Sequence, residues 1–106
     1  MSKIVYNKLV RDRIPEIIRA GGNSCVTSVL SQDAYLQALD TKLGEELQEY
    51  LQSGNVEELA DLLEVIYAAA EARGCKAAQL EQLRSDKANK RGAFHERIWL
   101  ESVEEA

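Results

Sequence analysis

Between two long segments of helical periodicity, the chain has only Ser53, Gly54 and Asn55 in which to turn round. So short a connection folds the second segment back antiparallel onto the first, and it thereby fixes which side chains meet. The segment before the turn carries Glu45, Glu46 and Glu49; the one after it carries Glu57, Glu58 and Asp61. Acids near the end of one helix are thus set against acids near the start of the next. Carboxylates gathered without a cation repel one another. A hard divalent ion such as Mg²⁺ takes oxygen ligands and also clamps phosphates, so the pattern points to metal-assisted phosphate chemistry.

Around this hairpin the chain reads as all-α. Its 106 residues support one domain, 1–106, with a modest core, and helical proteins of this size often dimerise. Aromatics make up 6% and Pro occurs once, against an abundance of good helix formers. Residues 1–10 read as an extended or irregular lead-in. A short helix is expected from about Arg11 to Ala20, with Pro15 in its first turn and Gly21 and Gly22 as its stop. Ser31 caps a helix over 32–52, Asn55 caps one over 56–73, and a further helix covers 77–90. Residues 25–30 and 94–100 have extended character, and their pairing would add a short two-stranded element to an antiparallel helical bundle.

The net charge of −5 argues against nonspecific nucleic-acid binding, which needs a concentrated basic face. Cys25 and Cys75 lie in no CxxC or zinc-ligand pattern and read as reduced, packed thiols. No stretch is apolar enough for a signal segment or a membrane span, so a cytoplasmic protein without membrane contact is expected.

Helical phase separates the acids. At about 100° per residue, Leu36, Leu39, Leu43, Leu47 and Tyr50 form one stripe, with Glu46 roughly 60° and Glu49 roughly 120° from it. Glu45 points away from the stripe. In the following helix Leu59, Leu62, Leu63, Ile66, Ala69 and Ala70 make the main stripe, while Glu58 and Asp61 share a second one with Val65, Ala68 and Ala72. Glu57, Glu64 and Glu71 recur on the remaining face and read as solvated. A carboxylate among apolar neighbours needs a counter-charge, and a cation shared by Glu46, Glu49, Glu58 and Asp61 would supply it. Blander readings stand beside this one: acid runs are usually solvated faces, Asn55 with Glu58 fits a capping box, and Asp61 has the option of a Lys or Arg partner.

Lys8, Arg11 and Arg13 precede the first helix, and Lys87, Lys90 and Arg91 end the last. Bases at a helix C-terminus also complement the macrodipole, so binding of phosphate by these groups and a structural role both remain open. His95, the single histidine, has no nucleophile arranged beside it and reads as structural or surface. Phe94 and Trp99 are expected to seal the core or a subunit interface.

Residues 6–18 (YNKLVRDRIPEII), 42–49 (KLGEELQE), 57–66 (EELADLLEVI) and 87–94 (KANKRGAF) together resemble the all-α nucleoside triphosphate pyrophosphohydrolases. The resemblance is to the MazG-like branch, whose members are often labelled phosphoribosyl-ATP pyrophosphohydrolase-like. It implies Mg²⁺, with Mn²⁺ as the substitute, on Glu46, Glu49, Glu58 and Asp61, and a role for Glu45 in orienting a ligand or bound water. It further implies cleavage of a noncanonical nucleoside triphosphate to the monophosphate and pyrophosphate, as a house-cleaning activity. Lys8, Arg11, Lys87 and Arg91 would bind phosphate, Asn7 and Asp12 would contact sugar or base, and a homodimer or higher homo-oligomer would complete the bundle. The gap between the two acid motifs is shorter here than in typical MazG domains. The alternatives are phosphoribosyl-ATP cleavage in histidine biosynthesis and a helical regulatory or interaction module without turnover.

Overall fold

The computed structural model describes residues 2–106 and contains α1 (Ile14–Ala20), α2 (Gln32–Ser53), α3 (Val56–Ala72) and α4 (Ala77–Arg91). Local chemistry sets the boundaries of the central pair. The Ser31 hydroxyl accepts a hydrogen bond from the Ala34 amide at 3.2 Å, and the Asn55 side chain accepts one from the Glu57 amide at 3.0 Å, so each helix begins on a satisfied donor. Between them Gly54 sits at φ 66°, with its amide bonded to the Tyr50 carbonyl at 2.8 Å. A residue with a Cβ is disfavoured in that left-handed conformation.

The α2–α3 hairpin is antiparallel along its length. Gln32, at the start of α2, donates to the Ala72 carbonyl at the end of α3 at 3.2 Å. Further along, Arg73 lies 3.7 Å from Asp40, and Glu46 meets Glu58 and Asp61 near the turn. Helix α4 packs against α3 alone, and α1 packs against no other helix.

Two expectations are corrected among the described residues. No strand forms, and residues 25–30 do not pair with 94–100. Val26, Val29 and Phe94 are almost fully exposed, and an isolated two-stranded ribbon with no apolar face to cover it is marginal in water. Helix α1 begins at Ile14 rather than Arg11, because the Ile14 amide closes a turn onto the Arg11 carbonyl at 3.1 Å and the Arg13 side chain supplies no cap.

The core is small. Leu39 is 2% exposed and Ala69 9%, and these are the buried apolar residues among those described. Leu36, Leu43, Tyr50 and Leu62 are half-buried, but Leu47, Leu51, Leu59, Leu63 and Ile66 remain exposed along the hairpin. Phe94 and Trp99 seal nothing within the chain. The radius of gyration is 18.8 Å, against about 13 Å for a compact domain of this length. The hairpin thus leaves much of its apolar surface uncovered. No helix is long and apolar enough to cross a membrane.

With so few buried side chains, Leu39 carries a disproportionate share of the packing. Leu39→Ala is expected to lower stability by about 2–5 kcal/mol, read as a fall in melting temperature by circular dichroism.

Candidate metal centre

The turn geometry brings Glu46 from α2 together with Glu58 and Asp61 from α3, one oxygen from each lying within 4.8 Å of the others. Adjacent oxygens of a Mg²⁺ octahedron stand about 3.0 Å apart and opposite ones about 4.2 Å, so the three would have to draw closer to share one ion. Glu46 is the innermost of them, with its side chain 10% exposed. Its Oε2 is buried and has no hydrogen-bond partner. A buried carboxylate oxygen without a hydrogen-bond partner calls for an explanation, and a cation shared with the neighbouring acids would provide one. The donor set is all oxygen, which suits Mg²⁺ or Mn²⁺ over softer metals.

Glu49 does not belong to that trio, but its carboxylate is close enough to Glu46 to raise its pKa. Desolvation by burial is the largest cause of the shift, repulsion from Glu49 follows, and the Lys42 ammonium offsets part of it. Lys42 lies 3.5 Å from Glu46 and 3.8 Å from Glu45 on the same helix. Glu45 is therefore tied to Lys42 at the flank of the cluster.

The capping box does not account for Glu58. The Asn55 amide donates to the Ser53 hydroxyl at 3.1 Å instead of to Glu58, which leaves the Glu58 carboxylate to the acid cluster. Asp61, by contrast, takes the partner that the blander reading allowed: Arg11 Nη2 donates to its Oδ1 at 2.7 Å. The side chain of Asp61 is 44% exposed, so Glu46 rather than Asp61 carries most of the desolvation.

Beside the acids lies a cavity of about 420 Å³. Residues 9–13 form one wall, Tyr35, Leu39, Lys42 and Glu46 of α2 a second, and Asp61, Glu64, Val65 and Ala68 of α3 a third. The second apolar stripe of α3 thus faces the lead-in segment. Asp12 and Arg13 reach this cavity with Arg11. Asn7 and Lys8 are exposed outside it, Asn7 at φ 46° and Lys8 with its ammonium 5.3 Å from the centre of the Tyr6 ring. Lys87 and Arg91, on the last turns of α4, are exposed and contribute nothing to the cavity wall within one chain.

Sequence reasoning missed Lys42 and Tyr35. Lys42 was legible, since a base three and four residues before two glutamates pairs with them on a helix. Tyr35 and the cavity-facing position of Glu64 depend on where residues 9–13 cross the hairpin, and no local pattern encodes that.

Over 42 residues the chain is 60% identical to an uncharacterized protein of Mycolicibacterium smegmatis, a stretch that covers 40% of this chain and 43% of that protein. The chain therefore spans less than half the length of the curated relative it matches. No family model matches the chain, and no solved structure matches it.

The raised pKa of Glu46 has a definite consequence for stability. A carboxyl that binds its proton more tightly folded than unfolded penalises the folded state once deprotonated. The penalty grows as pH rises from the ordinary glutamate pKa to the folded value, and it is complete above that. Glu46→Gln is expected to raise the melting temperature of the metal-free protein at neutral pH. The gain should vanish as the pH falls into the ordinary carboxylate range, in thermal melts recorded with chelator across that interval.

Proposed function

We propose that the protein hydrolyses a nucleoside triphosphate between its α- and β-phosphates, giving the monophosphate and pyrophosphate. The observation that carries this reading is the convergence of Glu46, Glu58 and Asp61, in which Glu46 is buried and one of its oxygens has no hydrogen-bond partner. Next to it lies a cavity large enough for a small organic ligand. Glu46, Glu49, Glu58 and Asp61 would hold Mg²⁺, or Mn²⁺ in its place, which when bound neutralises phosphate oxygens and lowers the pKa of water. Water oxygen attacks the α-phosphorus, the bond to the bridging oxygen breaks, and pyrophosphate leaves with its electrons.

The chain's own groups divide the remaining work. Lys42 favours the ionised form of Glu46 and also lies beside Glu45, which would orient a ligand or bound water. Arg11 reaches the acids from the cavity wall, where its guanidinium suits a phosphate. Leu9, Val10, Tyr35, Val65 and Ala68 offer an apolar wall for the part of the substrate that is not phosphate, with Asp12 at its edge for polar groups of sugar or base. Lys8, Lys87 and Arg91 would join the phosphates only through movement of the lead-in or from a second copy.

That second copy is part of the reading. The exposed leucines of α2 and α3, with Ile66, form the surface a partner hairpin would cover to complete a homodimeric bundle, and uncovered apolar area of this kind favours association. The role that fits is removal of noncanonical nucleotides in the cytoplasm, with no part for nucleic acid or membrane.

Pyrophosphate release from a panel of nucleoside triphosphates, with and without Mg²⁺, tests the proposal. Preference for phosphoribosyl-ATP would move the enzyme into histidine biosynthesis, and no turnover together with no Mg²⁺ binding would leave a helical interaction module. Asp61→Asn is expected to cut Mg²⁺-dependent release at least about 100-fold, as loss of a ligand does. Glu57→Gln, on the solvent face, should stay within about twofold of the parent, and equal losses at the two positions would refute the assignment of faces. Sedimentation should show a dimer, dispersed by Leu63→Glu.

A further inference from the structure

The ion pair between Arg11 and Asp61 does something the proposed chemistry does not require. Among the described residues it is the single hydrogen-bonded tie between residues 2–30 and the helical hairpin. Helix α1 packs against no other helix, and residues 9–13 belong to no helix, although they wall the cavity. The polar hold on the lead-in over the cavity is therefore a half-exposed ion pair, with the half-buried Leu9 beside it. Asp61 is also one of the three carboxylates that converge near the turn. Its bonded oxygen has one guanidinium partner at 2.7 Å, and a cation bound by the trio would contend for the same carboxylate.

We propose that Arg11 is a latch: it neutralises Asp61 while the acid cluster lacks a cation, and loading of a divalent ion displaces it, freeing residues 9–13 to open the cavity and offering the guanidinium to an incoming phosphate. This rests on reading Glu46, Glu58 and Asp61 as the cation site. An exposed Arg–carboxylate pair is weak enough to yield to a divalent ion, yet here it is the hydrogen-bonded tie on the segment. Glu46, buried and orphaned at Oε2, keeps the demand for positive charge high in the empty site, so one cation replaces another as the site loads.

Two measurements on the full chain test the latch, both with Mg²⁺ alone as the probe. In calorimetry, Arg11→Gln should tighten Mg²⁺ binding about fivefold by removing the competitor. Arg13→Gln removes an equal charge from the same wall, but Arg13 pairs with Glu16 at 3.3 Å and with none of Glu46, Glu58 and Asp61, so it should change the affinity less than about twofold. In limited proteolysis, chymotrypsin cleavage after Tyr6 and Leu9 should accelerate severalfold when Mg²⁺ is added to the parent, and should be fast and insensitive to Mg²⁺ in Arg11→Gln. Equal affinity changes in the two variants, or a parent that binds Mg²⁺ with no change in cleavage, would overturn the latch and leave the metal site standing. A parent that binds no Mg²⁺ would overturn both.

Discussion

A carboxylate withdrawn from water has to be answered by positive charge, and in this chain nearly everything of functional interest follows from that demand at Glu46. It lies deeper than any other acid described, in a hairpin whose buried apolar residues are Leu39 and Ala69. A structure with so little core gains nothing in stability from placing a glutamate there, since an apolar side chain of similar size would pack at no electrostatic cost. Lys42 answers part of the demand from within the same helix, and Arg11 pairs with the neighbouring Asp61 from outside it. The rest is left over, and it is this unanswered charge that the proposed cation would meet.

Much of this was legible in the residues themselves. The turn at Ser53 to Asn55 sets the antiparallel register, and helical phase then selects Glu46, Glu49, Glu58 and Asp61 over Glu45 and Glu57, of which the structure brings Glu46, Glu58 and Asp61 together. Both inferences use only the rise and twist of an α-helix, which long capped segments obey closely. Glu49, placed by the same wheel further from the packed face, stands at the margin of the cluster, where it raises the pKa of Glu46.

What was not legible depends on contacts between segments distant in sequence. The extended character of residues 25–30 and 94–100 reflects β-branched and aromatic composition, which describes fitness for a half-buried surface. With no such surface in the single chain, no sheet forms. The partner of Asp61 likewise came from fifty positions away, and composition offered several bases for the role. The large exposed share of the α2 and α3 leucines has the same origin, because a periodic stripe states that a face will be covered without stating by what.

The one tryptophan lies in the uncovered C-terminal segment at 86% exposure. Indole emission moves to shorter wavelength as water leaves its surroundings, so this chain carries its own optical report of whether that segment has found a dry resting place. A single spectrum taken across a dilution series would follow the closure of that surface with no label attached.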